Sequence, residues 1–280
     1  MQKYWEDLIE RALQEDIGSG DHSSNCAIPA TAKGQVQLIV KQGGVLAGVE
    51  AAQLVFKKVD TTLEFEPLLK DGSRVKVGDI AFRLKGRTRS LLQGERIALN
   101  IMQRMSGIAT YTNSLVQKIR HTQAKILDTR KTTPTLRFME KEAVKIGGAY
   151  NHRFGLYDMI MLKDNHIDFA GGVKPALQKA KNYLKDQQLD IPIEVETRNE
   201  AEIKEALAEG GVSRIMFDNF SPKACAQAVK LVQGACQTEA SGGITENTLV
   251  AYAETGVDFI SIGALTHSVI GLDMSLKAYA

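Results

Sequence analysis

Ile191-Pro-Ile-Glu-Val195 leads into Glu200-Ala-Glu-Ile-Lys-Glu-Ala-Leu-Ala208 and then into Arg214-Ile-Met-Phe217, which ends in Asp218-Asn219. The first and third segments are short apolar runs of the kind that form buried strands. The second carries apolar residues at helical spacing. The same rhythm recurs through the second half of the chain. Further strand-like runs lie at 125–127, 159–162, 236–240 and 258–262, and further helix-like stretches at 222–232 and 246–254. Strand–helix alternation implies parallel strands joined by right-handed crossovers. Six such runs fit a compact or incomplete parallel (β/α) barrel, with an open doubly wound sheet as the rival.

The first half reads differently. Trp5, Leu8, Ile9 and Leu13 share one helical face, and Gly18, Gly20 and Asp21 stop that helix. Strands are expected at 36–40 and 80–84, with a helix near 50–58 and turns at Asp71-Gly72 and Gly78-Asp79. Leu91, Leu92, Ile97, Ile101, Met105 and Ile108 predict a long helix, kinked or ended at Ser106-Gly107. The fold class is therefore α/β. An N-terminal α/β sandwich domain (1–112) precedes an incomplete barrel with the catalytic site (113–268). A C-terminal segment (269–280) is expected to pack on the first domain.

Composition narrows the function. Lys+Arg number 35 and Asp+Glu 33 in 280 residues, a net charge of +2. That balance excludes a general nucleic-acid binder, so substrate steering rests on local charge. Cys26, Cys225 and Cys236 form no CxxC pair, which argues against a disulfide framework or a cysteine zinc site. The uncharged run at 259–272 is too short to span a bilayer, and the N-terminus has no apolar signal core. No membrane partner and a cytoplasmic location are expected.

Polar residues stand at one end of nearly every expected strand: Asp128 to Lys131, Lys163 to His166, Glu196, Asp218-Asn219, Ser241-Gly242-Gly243 and Gly263. In a parallel barrel these carboxyl ends share one face, where catalytic groups gather. Arg130, Lys131, His152, Arg153 and Lys163 form a cationic part. Arginine offers a planar fork for carboxylates, and lysine a mobile point charge for phosphate. Glu196 and Asp218 form an acidic part, suited to Mg²⁺ shared with substrate oxygens or to a developing positive sugar centre. Glu194 points the same way as Glu196 and is read as a deeper residue beside a cation. The glycines after 241 and at 263 suit a phosphate at helix starts, with one helix capped near Thr245. The sum is a phosphorylated sugar meeting an anionic second substrate.

At these residues the chain resembles a known family. The motifs are Asp128-Thr-Arg-Lys-Thr-Thr-Pro134, Gly147-Gly-Ala-Tyr-Asn-His-Arg-Phe-Gly-Leu-Tyr-Asp158, Leu162-Lys-Asp-Asn-His-Ile167, Glu194-Val-Glu196, Asp218-Asn219, Glu239-Ala-Ser-Gly-Gly-Ile244 and Gly263-Ala-Leu-Thr-His-Ser268. Gly48-Val-Glu50 and the run from Glu95-Arg96 to Thr110 extend the match into the first half. Together they resemble quinolinate phosphoribosyltransferases, the carboxylating nicotinate-nucleotide pyrophosphorylases of NAD biosynthesis. The resemblance implies quinolinate and phosphoribosyl pyrophosphate as substrates, with Mg²⁺ bound mainly through the pyrophosphate. It also implies a homodimer or larger assembly of dimers with shared sites.

Carried over by motif, Arg130, Lys131, His152 and Arg153 would hold quinolinate, joined by Arg96 from the neighbouring subunit. Lys163 would sit between the substrates. Lys131, Lys163, Glu196 and Asp218 would be the catalytic set, with Glu196 and Asp218 also facing the metal. Ser241, Gly242, Gly243 and Gly263 would bind the 5-phosphate. The family's usual Pro-Gly-Leu-Arg reads Pro134-Thr135-Leu136-Arg137 here, which puts the shape of that turn in question. The alternatives are the molybdenum-transport-associated homologues and a nicotinate phosphoribosyltransferase.

Overall fold

The computed structural model describes residues 2–279, and the chain divides into two compact units. The first takes residues up to Asn113, Pro134–Gly148 and the segment from Ser268 onward; the second takes Ser114–Thr133 and Ala149–His267.

In the first unit, α1 (Gln2–Ile17) buries Trp5 and Ile9, one turn apart. At the start of α2 (His22–Ala27) the Asp21 carboxylate accepts the Ser24 N–H. Then come β1 (Lys33–Val40), β2 (Gly44–Val45), α3 (Val49–Val59), β3 (Glu64–Pro67), β4 (Arg74–Val75), β5 (Ile80–Arg87) and α4 (Thr88–Lys118). A four-stranded antiparallel sheet runs in the order last strand of the chain (Met274–Ala278), β1, β5, β3, while β2 pairs with β4. Its core includes Leu38, Phe56, Phe82 and Leu84.

The expected break at Ser106-Gly107 does not occur, and α4 runs unbroken for 31 residues. Both residues serve packing. Ser106 Oγ donates to Ala47 O and accepts the Ala47 N–H. A side chain on Gly107 would overlap the Ile270 carbonyl oxygen, so glycine is what lets that backbone approach.

Residues 134–148 were expected in the barrel domain, and in the structure they belong to the first unit. They carry α5 (Arg137–Ile146). Phe138 meets Trp5 in a perpendicular, T-shaped pair at a centroid distance of 4.9 Å and stacks on Tyr4 at 5.4 Å. The buried Glu140 carboxylate accepts from the Arg104 guanidinium at 2.6 Å. Those contacts, invisible to periodicity, tie the helix to α1 and α4.

The second unit alternates strand and helix: β6 (Lys125–Leu127), β7 (Ile160–Leu162), α6 (Asp164–Ala170), α7 (Val173–Asp186), β8 (Ile193–Thr197), α8 (Glu200–Glu209), β9 (Arg214–Asp218), α9 (Pro222–Val232), β10 (Gln237–Ser241), α10 (Leu249–Ala253), β11 (Phe259–Ser261) and α11 (Ala264–His267). The helices start where the chemistry says they should. Asn199 caps α8 through the Glu202 N–H, and Ser221 caps α9 with Pro222 in its first turn. All six strands are parallel, in the order β6-β11-β10-β9-β8-β7. Every sequential neighbour pairs except β6 and β7; beside β6, Leu127 makes an isolated bridge to Tyr150, in the stretch before β7. This is a (β/α) barrel left open at one seam, and the doubly wound alternative falls away. Val195, Ile215, Phe217, Ala240 and Ile260 are fully buried on the helix-facing side of its strands.

One helix start differs from expectation. α10 begins only at Leu249, because the Thr248 hydroxyl accepts the Thr245 N–H and closes a turn first. Gly242 and Gly243 therefore lie in a loop, not at a helix start. Among the described residues no helix is long and apolar enough to cross a membrane.

Candidate active site

Strand register fixes which side chains face inward. Glu194 aligns with Arg214, and Glu196 with Met216, two residues before Asp218. Glu239 aligns with Met216 and Ser241 with Asp218. Because side chains alternate, Glu194, Glu196, Arg214, Asp218, Glu239 and Ser241 share one face. Lys163, two residues beyond Met161, which aligns with Glu194, continues the same row.

At the carboxyl ends, contacts link neighbouring strand tips in two sets. Lys163 Nζ lies 2.8 Å from Glu196 Oε2. The Asn219 N–H donates to Ser241 O at 2.9 Å, tying the β9 and β10 tips together. Gly242, at φ +96°, could not carry a side chain, since a Cβ would overlap Asn219. Ser261 Oγ donates to Ser241 Oγ at 2.9 Å. Thr266 Oγ1 donates to Lys131 O at 2.9 Å, and the Lys131 stem packs along Gly263. The tips of β6, β11, β10 and β9, and those of β7 and β8, thus border one mouth.

The cationic part is asymmetric. Lys131 is exposed and Arg153 is half-buried. Burial lowers the Arg153 pKa and the charge of Arg130 lowers it further, so the two guanidiniums stand in each other's field. Two arginines held against their mutual repulsion are suited to sharing an anion. Arg153 Nη1 also donates to Met159 O at 3.2 Å. The loop behind it is pinned by Asp158, whose carboxylate accepts the Phe154 and Gly155 N–H groups at 2.6 and 2.9 Å. Asp218 is half-buried, and its Oδ2 accepts from Asn219 Nδ2 at 2.8 Å.

His152 differs from expectation. Its ring faces the barrel interior with 5% of the side chain exposed. Nε2 lies 3.1 Å from Glu194 Oε2 and 3.6 Å from Glu239 Oε2. Nδ1 accepts the Arg153 N–H at 2.6 Å, and the His152 N–H donates to the buried Asp128 carboxylate at 2.8 Å. Arg214 Nη1 lies 2.7 Å from Glu239 and 3.5 Å from Glu194, with its guanidinium 4.2 Å over the Phe259 ring. His152, Glu194 and Glu239 are close enough to share a metal ion. Arg214 already supplies the cation there.

Burial disfavours the His152 imidazolium; the hydrogen bond to Glu194 and the charges of Glu194 and Glu239 favour it, and the balance lies upward. The Arg153 amide opposes that balance, because a proton on Nδ1 would face it donor to donor. With Nδ1 placed to accept that amide, Nε2 is the nitrogen turned toward the two carboxylates. Burial, then the charge of Glu194, pushes Glu239 up to about 7. Sequence reasoning expected a cation beside Glu194 but did not identify Arg214 or the role of Glu239. The available signal was strand parity: both charges fall on the same alternate positions as Glu194 and Glu196.

Arg96 stands apart from this set. It lies on α4 in the first unit, exposed, and makes no hydrogen bond or ion pair among the described residues. Beside it is a cavity of about 440 Å³ lined in part by Arg11, Asn100, Arg104 and Thr135. Thr135 takes φ +68°, so the turn keeps the left-handed form a glycine would adopt.

Residues 108–277 match the family described as quinolinate phosphoribosyl transferase, C-terminal domain, and residues 21–106 match its N-terminal domain. A rice (Oryza sativa subsp. japonica) protein named nicotinate-nucleotide pyrophosphorylase [carboxylating], chloroplastic, is 45% identical over 96% of this chain and 76% of its own length. A Bacillus subtilis protein, probable nicotinate-nucleotide pyrophosphorylase [carboxylating], is 43% identical over 96% of this chain and 91% of its own. The solved nicotinate-nucleotide pyrophosphorylase of Francisella tularensis superposes with a TM-score of 0.94 at 38% identity, over 100% of this chain and 97% of that one. The parallel open barrel, its shared mouth and these matches along nearly the whole sequence agree: the chain belongs to the quinolinate phosphoribosyltransferase family.

Proposed function

We propose that the chain transfers the phosphoribosyl group of phosphoribosyl pyrophosphate to the ring nitrogen of quinolinate, with loss of CO₂, making nicotinate mononucleotide for NAD synthesis. The observation that carries this reading is the single barrel mouth bordered by Arg153, the Lys163–Glu196 pair and the Ser241–Gly243 loop. Arg130, Lys131 and Arg153 would grip the two carboxylates of the pyridine. Ser241, Gly242, Gly243 and Gly263 would receive the 5-phosphate.

In the first step the bond from ribose C1 to pyrophosphate breaks, and the pyridine nitrogen lone pair forms the new bond to C1. The 2-carboxylate then leaves as CO₂. The electron pair it leaves on the ring is stabilised by the quaternised nitrogen and takes up a proton. The protein's part is orientation and fixed charge, without a covalent intermediate. Glu196 and Asp218 face the sugar, where positive charge develops. Lys163, anchored on Glu196, stands beside the departing negative charge.

Mg²⁺ fits the donor set. Glu196 has one carboxylate oxygen engaged by Lys163, and Asp218 has one engaged by Asn219, which leaves hard oxygen donors on adjacent strands. Bound there and to pyrophosphate oxygens, the ion would neutralise leaving-group charge.

The working form is read as a dimer or an assembly of dimers, in which Arg96 of one copy serves the partner's mouth. Its exposure, and its having no partner among the described residues, support this. A cytoplasmic setting accords with three free cysteines.

The test is CO₂ release from carboxyl-labelled quinolinate, with and without phosphoribosyl pyrophosphate. Donor-dependent release is expected. Absence of release, or equal turnover of nicotinate, would overturn the reading and favour the alternatives.

A further inference from the structure

The barrel interior holds a charged layer that the reaction as described does not use. Glu194, Arg214 and Glu239 come from three successive strands, β8, β9 and β10. Both carboxylates are fully buried, and the Arg214 side chain is 11% exposed. Such a layer is costly: an apolar replacement of similar volume is often neutral or stabilising, whereas removing one partner strands a buried charge. Stability alone therefore gives such a layer no clear use.

The contacts supply one. Arg214 is clamped between the Phe259 ring and Glu239. Glu239 and Glu194 both face His152 Nε2. The other ring nitrogen accepts the Arg153 main-chain N–H. His152 in turn hangs by its own amide from Asp128. A ring whose Nε2 must donate inward has only Nδ1 left as an acceptor, and that acceptor holds the residue that follows it.

We infer that Glu194, Arg214 and Glu239 are positioning residues, which lock His152 in its Nε2–H tautomer and thereby set the direction in which Arg153 leaves the barrel toward the substrate carboxylate. The inference rests on the reading of Arg153 as a quinolinate ligand. A hydrogen-bonded partner of this kind fixes both tautomer and orientation of an imidazole, as carboxylates do behind metal-bound histidines.

Two measurements test it on the full chain with both substrates. The first is steady-state kinetics of Glu239→Gln and Glu239→Leu. The glutamine variant keeps the volume and an acceptor for Arg214, and is expected to raise the quinolinate KM at least about threefold. The leucine variant is expected to raise it roughly tenfold or more. In both, the KM for phosphoribosyl pyrophosphate stays within about twofold. A purely structural role would move both KM values together, or only the melting temperature, and would overturn the inference.

The second needs no variant, should the first fail to fold. ¹⁵N shifts of labelled histidine in the unaltered protein are expected to show His152 with a pyridine-like Nδ1 and a pyrrole-like Nε2. A protonated Nδ1 would overturn the inference. Wild-type donor-dependent CO₂ release is measured alongside. Its absence would count against the proposed reaction, whereas unchanged kinetics in an active wild-type background would count against the positioning role alone.

Discussion

Lys163 Nζ and Glu196 Oε2 lie 2.8 Å apart at the ends of adjacent parallel strands, with the carboxylate side chain 7% exposed and that of the lysine 47%. The pair is thus anchored at its acidic end and open at its basic end. The ammonium keeps donors free to turn toward the mouth, and the buried carboxylate cannot leave without stranding its charge.

Lys163→Ala is expected to lower kcat/KM by about 10²–10³-fold, the size of effect seen when one preorganised donor to developing charge is removed. Steady-state kinetics with both substrates varied gives the value. The fall should lie mainly in kcat, because the lysine is read as acting on charge that appears during transfer.

Arg153→Ala and Lys131→Ala should each raise the quinolinate KM roughly tenfold or more, since a charge-assisted contact contributes about 1.5–3 kcal/mol. Both residues sit at the mouth and not in the helix-facing core. The melting temperature should therefore change little. Thermal melts alongside the kinetics separate lost binding from lost folding.

Glu239 gives the barrel a pH dependence. Burial and Glu194 raise its folded pKa to about 7, from an ordinary value of 4.5. Between those values the folded chain holds a proton that the unfolded chain has lost. Stability from this group is then full below about 4.5, declines as pH rises toward 7, and is flat above. The difference in urea midpoint between the wild type and Glu239→Gln, followed from pH 5 to pH 8, should change in that window and level off beyond it.

Thr135 holds φ +68° with a β-branched side chain. The left-handed conformation costs such a residue about 1–3 kcal/mol. Replacing it by glycine relieves that strain but adds about 0.5–1 kcal/mol of unfolded-state entropy. Thr135→Gly should therefore stabilise by about 1 kcal/mol, measured by denaturant unfolding.

If Arg96 serves a partner's mouth, two inactive variants should rescue each other. Random mixing of Arg96→Ala with Lys163→Ala leaves half of the dimers hybrid, each with one intact site, and so recovers about a quarter of wild-type activity. Assay of the remixed chains, against each variant alone, measures it. No recovery would place Arg96 in its own chain's chemistry or in none.

Much of the barrel was legible because its signals are local. Apolar runs of three to five residues and capped helices between them need only neighbours in sequence, so β6 at Lys125–Leu127 was read to the residue. The mouth was legible for a related reason. In a parallel barrel every strand delivers its carboxyl end to one face, so a charged residue at a strand tip has only one place to go. Local signals misled where a residue served a distant contact. Ser106-Gly107 looks like a helix break and is a packing site for Ala47 and the Ile270 backbone. Helix α5 carries no mark of the unit it joins, because Trp5, Tyr4 and Arg104, which hold it, lie over thirty residues away in sequence.

The amino-acid order by itself determined the alternation, the parity of the inward-facing charges and the motifs of the family, since each depends on spacing along one chain. Only the tertiary structure decided that His152 turns inward to Glu194 and Glu239 instead of facing the mouth with Arg153. That choice is made by charge balance inside a low-dielectric barrel. Arg214, sixty-two residues away in sequence, is part of the balance, and spacing cannot report which buried charges meet.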